Sequence, residues 1–318
     1  MGLLLWGGFF LLVFALLALD LGVFHKKPHA IGTREALGWT AVWVAVSMVF
    51  NVGVYFIYEN HLPVSGGEFL GGRDAAVRFF TAYLIEKMLS LDNIFVIAAI
   101  MASFRVPSIA QHRVLYWGVL GALIMRGTMI FAGTAAIHRF AWLMYVLGAL
   151  LLFTGVKMFG GDDDDDEMGE NAIVGFVRRV YPVARDFHGT HFFVVEDGKR
   201  AVTPLFLALI AVEATDVLFA VDSVPAVFAV TLDPFIVMTS NVFAILGLRS
   251  LFFALQSALD RFHYLKPTLA VILIFVGAKM LVTHHFGLHL DPLISLAVIA
   301  GLLTIGTVAS VLRERKAS

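Results

Sequence analysis

Runs of about twenty consecutive apolar residues recur along this chain, and that is the length a helix needs to cross the hydrocarbon of a bilayer. Nine such runs are read, at roughly 3–24, 36–58, 79–101, 114–135, 140–159, 204–231, 235–256, 265–283 and 291–311. Lipid offers no water to an open backbone, so segments of this length must close their hydrogen bonds internally as helices. The chain is therefore expected to be all-α, a polytopic membrane protein of about nine transmembrane helices. Composition agrees, with 59% hydrophobic and 15% charged residues and a mean hydropathy of +0.87, values foreign to a soluble chain of this size. The opening run MGLLLWGGFFLLVFALLALDLGVF lacks a basic start and a small-residue cleavage site, and reads as a span rather than a signal peptide. The absence of cysteine excludes disulfides, thiolate ligands and cysteine nucleophiles together.

Lysines and arginines in the connections predict the orientation. One side collects Lys26, Lys27, Arg34, Arg105, Arg113, Lys157, Arg178, Arg179, Arg185, Lys199, Arg200, Arg261, Lys266, Arg313, Arg315 and Lys316, against Arg73, Arg78 and Arg139 on the other. This bias places the N-terminus outside and the C-terminus in the cytoplasm, with a bacterial inner membrane as the expected location. The expected organisation is a single transmembrane domain: two N-terminal helices over 1–58, a first repeat over 75–159, a cytoplasmic acidic loop over 160–202, a second repeat over 203–283, and a last helix with a cytoplasmic tail over 291–318. The acidic run GDDDDDEMGE reads as a solvated linker, with a weak cation collector as the alternative. His188 and His191 have a metal-compatible spacing but are only two, and His284, His285 and His289 read as ordinary external loop residues.

The repeats rest on internal similarity. GALLLFTGVKMF (148–159) matches AVILIFVGAKML (270–281), so that Gly155, Lys157 and Met158 fall on Gly277, Lys279 and Met280. GALIMR ending at Arg126 matches AILGLR ending at Arg249, and EKMLSLDNIFVIAA (86–99) corresponds to EATDVLFAVDSVPAVFA (213–229). Each unit holds three spans. An odd number makes the second unit enter the membrane from the opposite side, so the two are expected to be inverted copies, an arrangement that places transport sites at the midplane between repeats.

Five acids lie inside spans three and six: Glu86, Asp92, Glu213, Asp216 and Asp222. Each costs about 2.5–3.5 kcal/mol at the centre of a span on insertion scales, so partners, water or protons must offset them. Glu213 and Asp216 share a helical face, as do Glu86 and Asn93. Asp222 falls on the far side of a straight helix, and Pro225 is expected to kink or break that helix, turning Asp222 inward and freeing a backbone carbonyl. A competing structural reading pairs these acids with Lys87, Arg126, Arg249 and Lys279 as buried ion pairs. Arg126 and Arg249 are read as structural or gating partners. The further donors are Asn93, Asn241, Ser90 and Ser223, all hard oxygen, which suits Mg²⁺, Ca²⁺ or Mn²⁺ and not copper(I) or structural zinc. Chemistry alone does not choose among the hard cations.

EKMLSLDN (86–93) and the block TPLFLALIAVEATDVLFAVDSVPAVFAVTLDPFIVMTSNVFAILGLRSLFF (203–253) resemble the TerC family of integral membrane proteins, and the resemblance runs from the first span to the ninth. It implies manganese efflux, and an older association with tellurite resistance, with key positions at Glu86, Asp92, Asn93, Glu213, Asp216 and Asp222. The five-Asp run is not part of that pattern. The expectation is a secondary transporter exporting Mn²⁺ as substrate, with no permanently bound cofactor, no enzymatic activity, and the lipid bilayer, divalent cations and protons, but no nucleic acid, as partners. Proton exchange is expected because no Walker loop is present and an acid beside a departing cation takes up a proton. A membrane assembly or scaffold factor, or a tellurite-resistance component without transport activity, is the alternative; its function would survive neutralisation of the acids. An intramembrane enzyme would need a Ser-His pair, a zinc motif or a cysteine within the spans.

Overall fold

The computed structural model describes residues 2–24, 33–60, 70–160, 174–255, 264–288 and 291–317, apart from 176, 178, 185 and 197; the acidic run lies outside them. The helices are α1 (Gly2–Phe24), α2 (Thr33–Glu59), α3 (Gly72–Ser103), α4 (Ser108–Arg139) and α5 (Leu143–Gly160), then α6 (Pro204–Phe228), α7 (Pro234–Leu246), α8 (Leu248–Leu255), α9 (Leu265–Phe286) and α10 (Pro292–Ala317). Every expected span coincides with a helix, or for 235–256 with the pair α7 and α8, which bends by 41° at Gly247. Among the described residues six helices are long and apolar enough to cross a membrane, and the bent pair, taken as one span, makes a seventh. The other two depart from that test for legible reasons: α5 is shorter, its apolar stretch running Leu143–Met158, and α3 carries Glu86, Lys87 and Asp92 near its middle.

Proline and capping residues set the helix starts. Pro234 opens α7 behind Asp233, whose carboxylate accepts from the amides of Phe235 and Ile236 at 3.0 and 3.1 Å and from the Tyr58 hydroxyl at 2.7 Å. One buried side chain thus caps α7 and ties it to α2. Pro204 opens α6, and the Thr203 amide donates to the Phe192 carbonyl at 2.9 Å. Gly287 ends α9 at φ +66°, the left-handed conformation that glycine adopts without penalty. His284 and His285 therefore sit in the last turn of α9 rather than in a loop, stacked edge-on and hydrogen-bonded to Tyr145 of α5. His289 lies outside the described residues.

The connection between α5 and α6, expected as linker, contains a hairpin. Strands β1 (Phe193–Glu196) and β2 (Lys199–Val202) pair antiparallel, with Gly198 at φ +76° in the turn. The Asp-Gly pair between two short alternating runs is the sequence signal for such a turn.

The spans pack across the boundary between repeats. Helices α3 and α4 each pack against α6 and α7, and α5 packs along α9. At the α5–α9 crossing a Cβ on Gly155 would lie 2.7 Å from Ile274 and 2.9 Å from the Ala270 carbonyl, and one on Gly277 would lie 2.9 Å from the Gly148 carbonyl and 3.1 Å from the Leu152 amide. Under the repeat that maps Gly155 onto Gly277, Gly148 maps onto Ala270 and Leu152 onto Ile274. The two glycines therefore make the same contact seen from opposite ends. Early residues of α5 meet late residues of α9, so the helices run antiparallel, as inverted copies require.

Three apolar clusters fill the interior, and two of them bracket the acids. One holds Phe79 and Tyr83 of α3, Ile130 of α4 and Val224 and Phe228 of α6. Another holds Ile94 and Ile97 of α3, Val114 and Val119 of α4 and Leu205 and Val212 of α6. On all three helices the polar positions fall between the clusters. The third packs α5, α9 and α10 around Leu151, Val276 and Ile299.

Candidate functional site

Arg126 of α4 is the centre of the polar layer. Its guanidinium forms an ion pair with Glu86 of α3, and grips Asp216 of α6 through Nη2–Oδ1 at 3.0 Å and Nε–Oδ2 at 3.3 Å. With its amide turned to satisfy both ends, Asn93 accepts from Arg126 Nη2 at 3.2 Å and donates to the Leu89 carbonyl at 3.1 Å. Glu86 is 0% exposed and Arg126 2%. Four residues from three helices, two of them from opposite repeats, meet in a site cut off from lipid and water. Both carboxylates cost too much to bury alone, and the shared guanidinium offsets one of their two charges. The cluster keeps a net charge of −1 by formal count.

Glu213 lies one turn from Asp216 on the same face of α6, as its spacing predicts. Its carboxylate rests against the backbone of Gly121 on α4, where any Cβ would collide with it. Among the described residues Glu213 has neither an ion pair nor a hydrogen bond. Gly121 opens the repeat motif GALIMR, and its proximity to the acid is a role that the motif alone does not reveal.

Asp222 is held elsewhere. Thr154 of α5 donates to its Oδ1 at 3.0 Å, so the carboxylate faces α5. The helix runs on through Pro225 to Phe228, and Pro225 sits in its last turn rather than at a break. Past the first turn a proline still removes the N–H that would donate to the carbonyl four residues back, here that of Val221. The expected break is absent, and Asp222 faces α5 through Thr154. Thr154 is the partner that sequence reasoning missed, for it lies 68 residues away in the chain.

Ser90, Ser223 and Asn241 are buried on α3, α6 and α7. The hydroxyls of both serines and both amide atoms of Asn241 have no hydrogen-bond partner among the described residues. Buried polar atoms of native proteins are mostly hydrogen-bonded. Lys87 reaches across to α7, its ammonium donating to the Ala244 carbonyl at 3.0 Å beside the bend at Gly247. Arg249, at the start of α8, is buried. The side chain of Asp92 lies outside the described residues, although its place on α3 between Ser90 and Asn93 is clear. Among the described residues no three acidic or histidine side chains gather as a ready-made metal cage. His188 lies 3.6 Å from Glu196 of the hairpin, and its Nδ1 is 3.1 Å from the Asp186 carbonyl.

A family model described as "Integral membrane protein TerC family" matches residues 71–318. "Uncharacterized membrane protein STKORF319" of Myxococcus xanthus is 50% identical over 313 residues, spanning 98% of this chain and 93% of that protein. "Putative membrane-bound redox modulator Alx" of Escherichia coli (strain K12) is 44% identical over 303 residues, 95% of this chain and 92% of that protein. An "Uncharacterized membrane protein" of Rickettsia bellii is 40% identical over 309 residues, 97% of each chain. No solved structure matches the chain.

Proposed function

The chain belongs to the TerC family of integral membrane proteins, and on that footing we propose that it is a secondary transporter exporting hard divalent cations, Mn²⁺ foremost, in exchange for protons. The observation that carries this reading is the buried meeting of Glu86, Asp216 and Asn93, three hard-oxygen side chains contributed by opposite repeats between two apolar clusters. Carboxylate and amide oxygens suit Mn²⁺, Mg²⁺ and Ca²⁺. Ser90, Ser223 and Asn241 add oxygens in search of partners, and Asp92, Glu213 and Asp222 add charge along α3 and α6. The metal is a passing substrate rather than a resident cofactor. A redox modulator is what the Alx relatives are named; with no cysteine, any such effect of this chain would come through the concentration of a redox-active cation rather than through thiols.

The test is transport by the purified protein alone. Proteoliposomes with an acidic lumen should accumulate Mn²⁺ as protons leave, and the flux should collapse when the pH gradient is dissipated. Zn²⁺ and Cu⁺ should be carried poorly. Absence of flux would leave the assembly-factor reading, and equal flux of copper would sink the hard-donor argument.

The proposed placement is a bacterial inner membrane with the N-terminus outside. A reporter after Ser318 should be cytoplasmic and one near Gly66 external. If both report the same side, the nine-span topology is wrong.

A further inference from the structure

The guanidinium of Arg126 occupies the same lone pairs that a bound cation would need. Glu86, Asp216 and the Asn93 carbonyl all face it, so a metal that draws on these oxygens competes with the arginine. A divalent ion arriving beside a seated guanidinium would also meet a like charge a few ångströms away in a poorly screening interior. With the guanidinium gone, the ion and the two carboxylates are neutral by formal count.

We infer that Arg126 is a tethered cation that holds the site while it is empty and yields it to a divalent metal by swinging along α4 to Glu213. The inference rests on the transport reading above and concerns the regulation of that same site. Glu213 is the receiving acid because of how α4 and α6 lie. Gly118 touches Val212, Gly121 touches Glu213, Arg126 holds Asp216 and Gly133 touches Phe228, so the two helices run parallel in register. Stepping back toward the N-terminus on both leads from Asp216 to Glu213. Helical side chains lean toward the N-terminus, so Arg126 leans over Leu123 and Ala122, the residues that follow Gly121. The missing side chain at Gly121 is what lets the Glu213 carboxylate lie against α4 at all. Glu213 thus waits within the groove with no counter-charge among the described residues.

The test is Mn²⁺ binding to the full-length protein in nanodiscs, with free metal followed by its electron paramagnetic resonance signal. Arg126→Gln should bind Mn²⁺ about tenfold tighter than the wild type or more, because a site competent only one time in ten loses that factor in apparent affinity. Arg126→Lys should fall between the two, since it keeps the charge but not the fork that grips Asp216. Should Arg126→Gln fail to accumulate in the membrane, Arg126→Lys carries this arm. Glu213→Gln should bind Mn²⁺ more weakly than the wild type, by a smaller factor when Arg126 is Lys, and change nothing when Arg126 is already Gln. Arginine variants that bind no tighter than the wild type overturn the inference. So does a Glu213→Gln penalty of equal size in both backgrounds, which would make Glu213 a metal ligand rather than the arginine's second seat. If no form binds Mn²⁺, the wild type included, the transport reading itself fails and takes this with it.

Discussion

Asp222→Asn should abolish Mn²⁺ efflux and leave the protein in the membrane at normal abundance. Asparagine keeps a carbonyl oxygen for the Thr154 hydroxyl, which approaches Asp222 at 3.0 Å, so the tie between α6 and α5 survives. What goes is a negative charge and a titratable proton in the middle of a span, and losing the charge relieves a desolvation cost. Efflux should fall on the order of a hundredfold, the upper end of what losing an ordering group costs a metal site. Asp92→Asn should behave alike, because Asp92-Asn93 and Asp222-Ser223 hold matching places in the repeat. The double variant should be little worse than either, since groups acting as one unit are not additive. A structural role predicts another pattern: breaking a buried ion pair costs about 3–5 kcal/mol, and the variants would vanish from the membrane. Efflux normalised to membrane abundance separates the two. Abundant variants that export normally would remove both acids from the pathway.

Gly277→Leu should strip the folded protein from the membrane. A Cβ at Gly277 already meets the Gly148 carbonyl at 2.9 Å, Leu151 at 3.0 Å and the Leu152 amide at 3.1 Å, and two of these are backbone atoms that cannot rotate away. Overpacking a core by a methylene or two costs about 1–3 kcal/mol, and forcing two backbones apart costs more. Gly155→Leu should be equally severe, because its Cβ meets Ala270 and Ile274 in the mirrored contact. Gly53→Ala and Gly301→Ala are the controls. Both glycines lie inside helices with nothing near the new methyl, and alanine should stabilise them by about 0.5–1 kcal/mol. Thermal unfolding in detergent reads all four. A Gly277→Leu protein as stable as the controls would mean that the crossing does not hold the fold together.

Hydropathy made the spans legible because each apolar run reports on one solvent, the bilayer, and needs no knowledge of neighbours. The repeat was legible for a similar reason, and it anticipated the mirrored contacts of Gly155 and Gly277. Side-chain pairing was harder to read. Arg126 stands 90 residues from Asp216, and nothing local says that one guanidinium serves acids from both repeats. Five acids on two facing helices suggested one cage, whereas Asp222 turns to α5 and Glu213 to Gly121. Pro225 was expected to kink or break α6, yet the helix continues through it to Phe228, as membrane helices allow when their neighbours support the freed backbone. The hairpin at Phe193–Val202 was missed for want of attention to a period of two in a segment read as linker.

The interleaving of the two three-helix units bears on how each is covered. Helices α3 and α4 both pack against α6 and α7 of the other half, and the glycine face of α5 is closed by its counterpart on α9. A half-length chain would therefore leave its best packing surface facing lipid. Only a second copy, inserted upside down, could cover it. Carrying both orientations in one polypeptide guarantees that each unit meets its inverted partner in equal number.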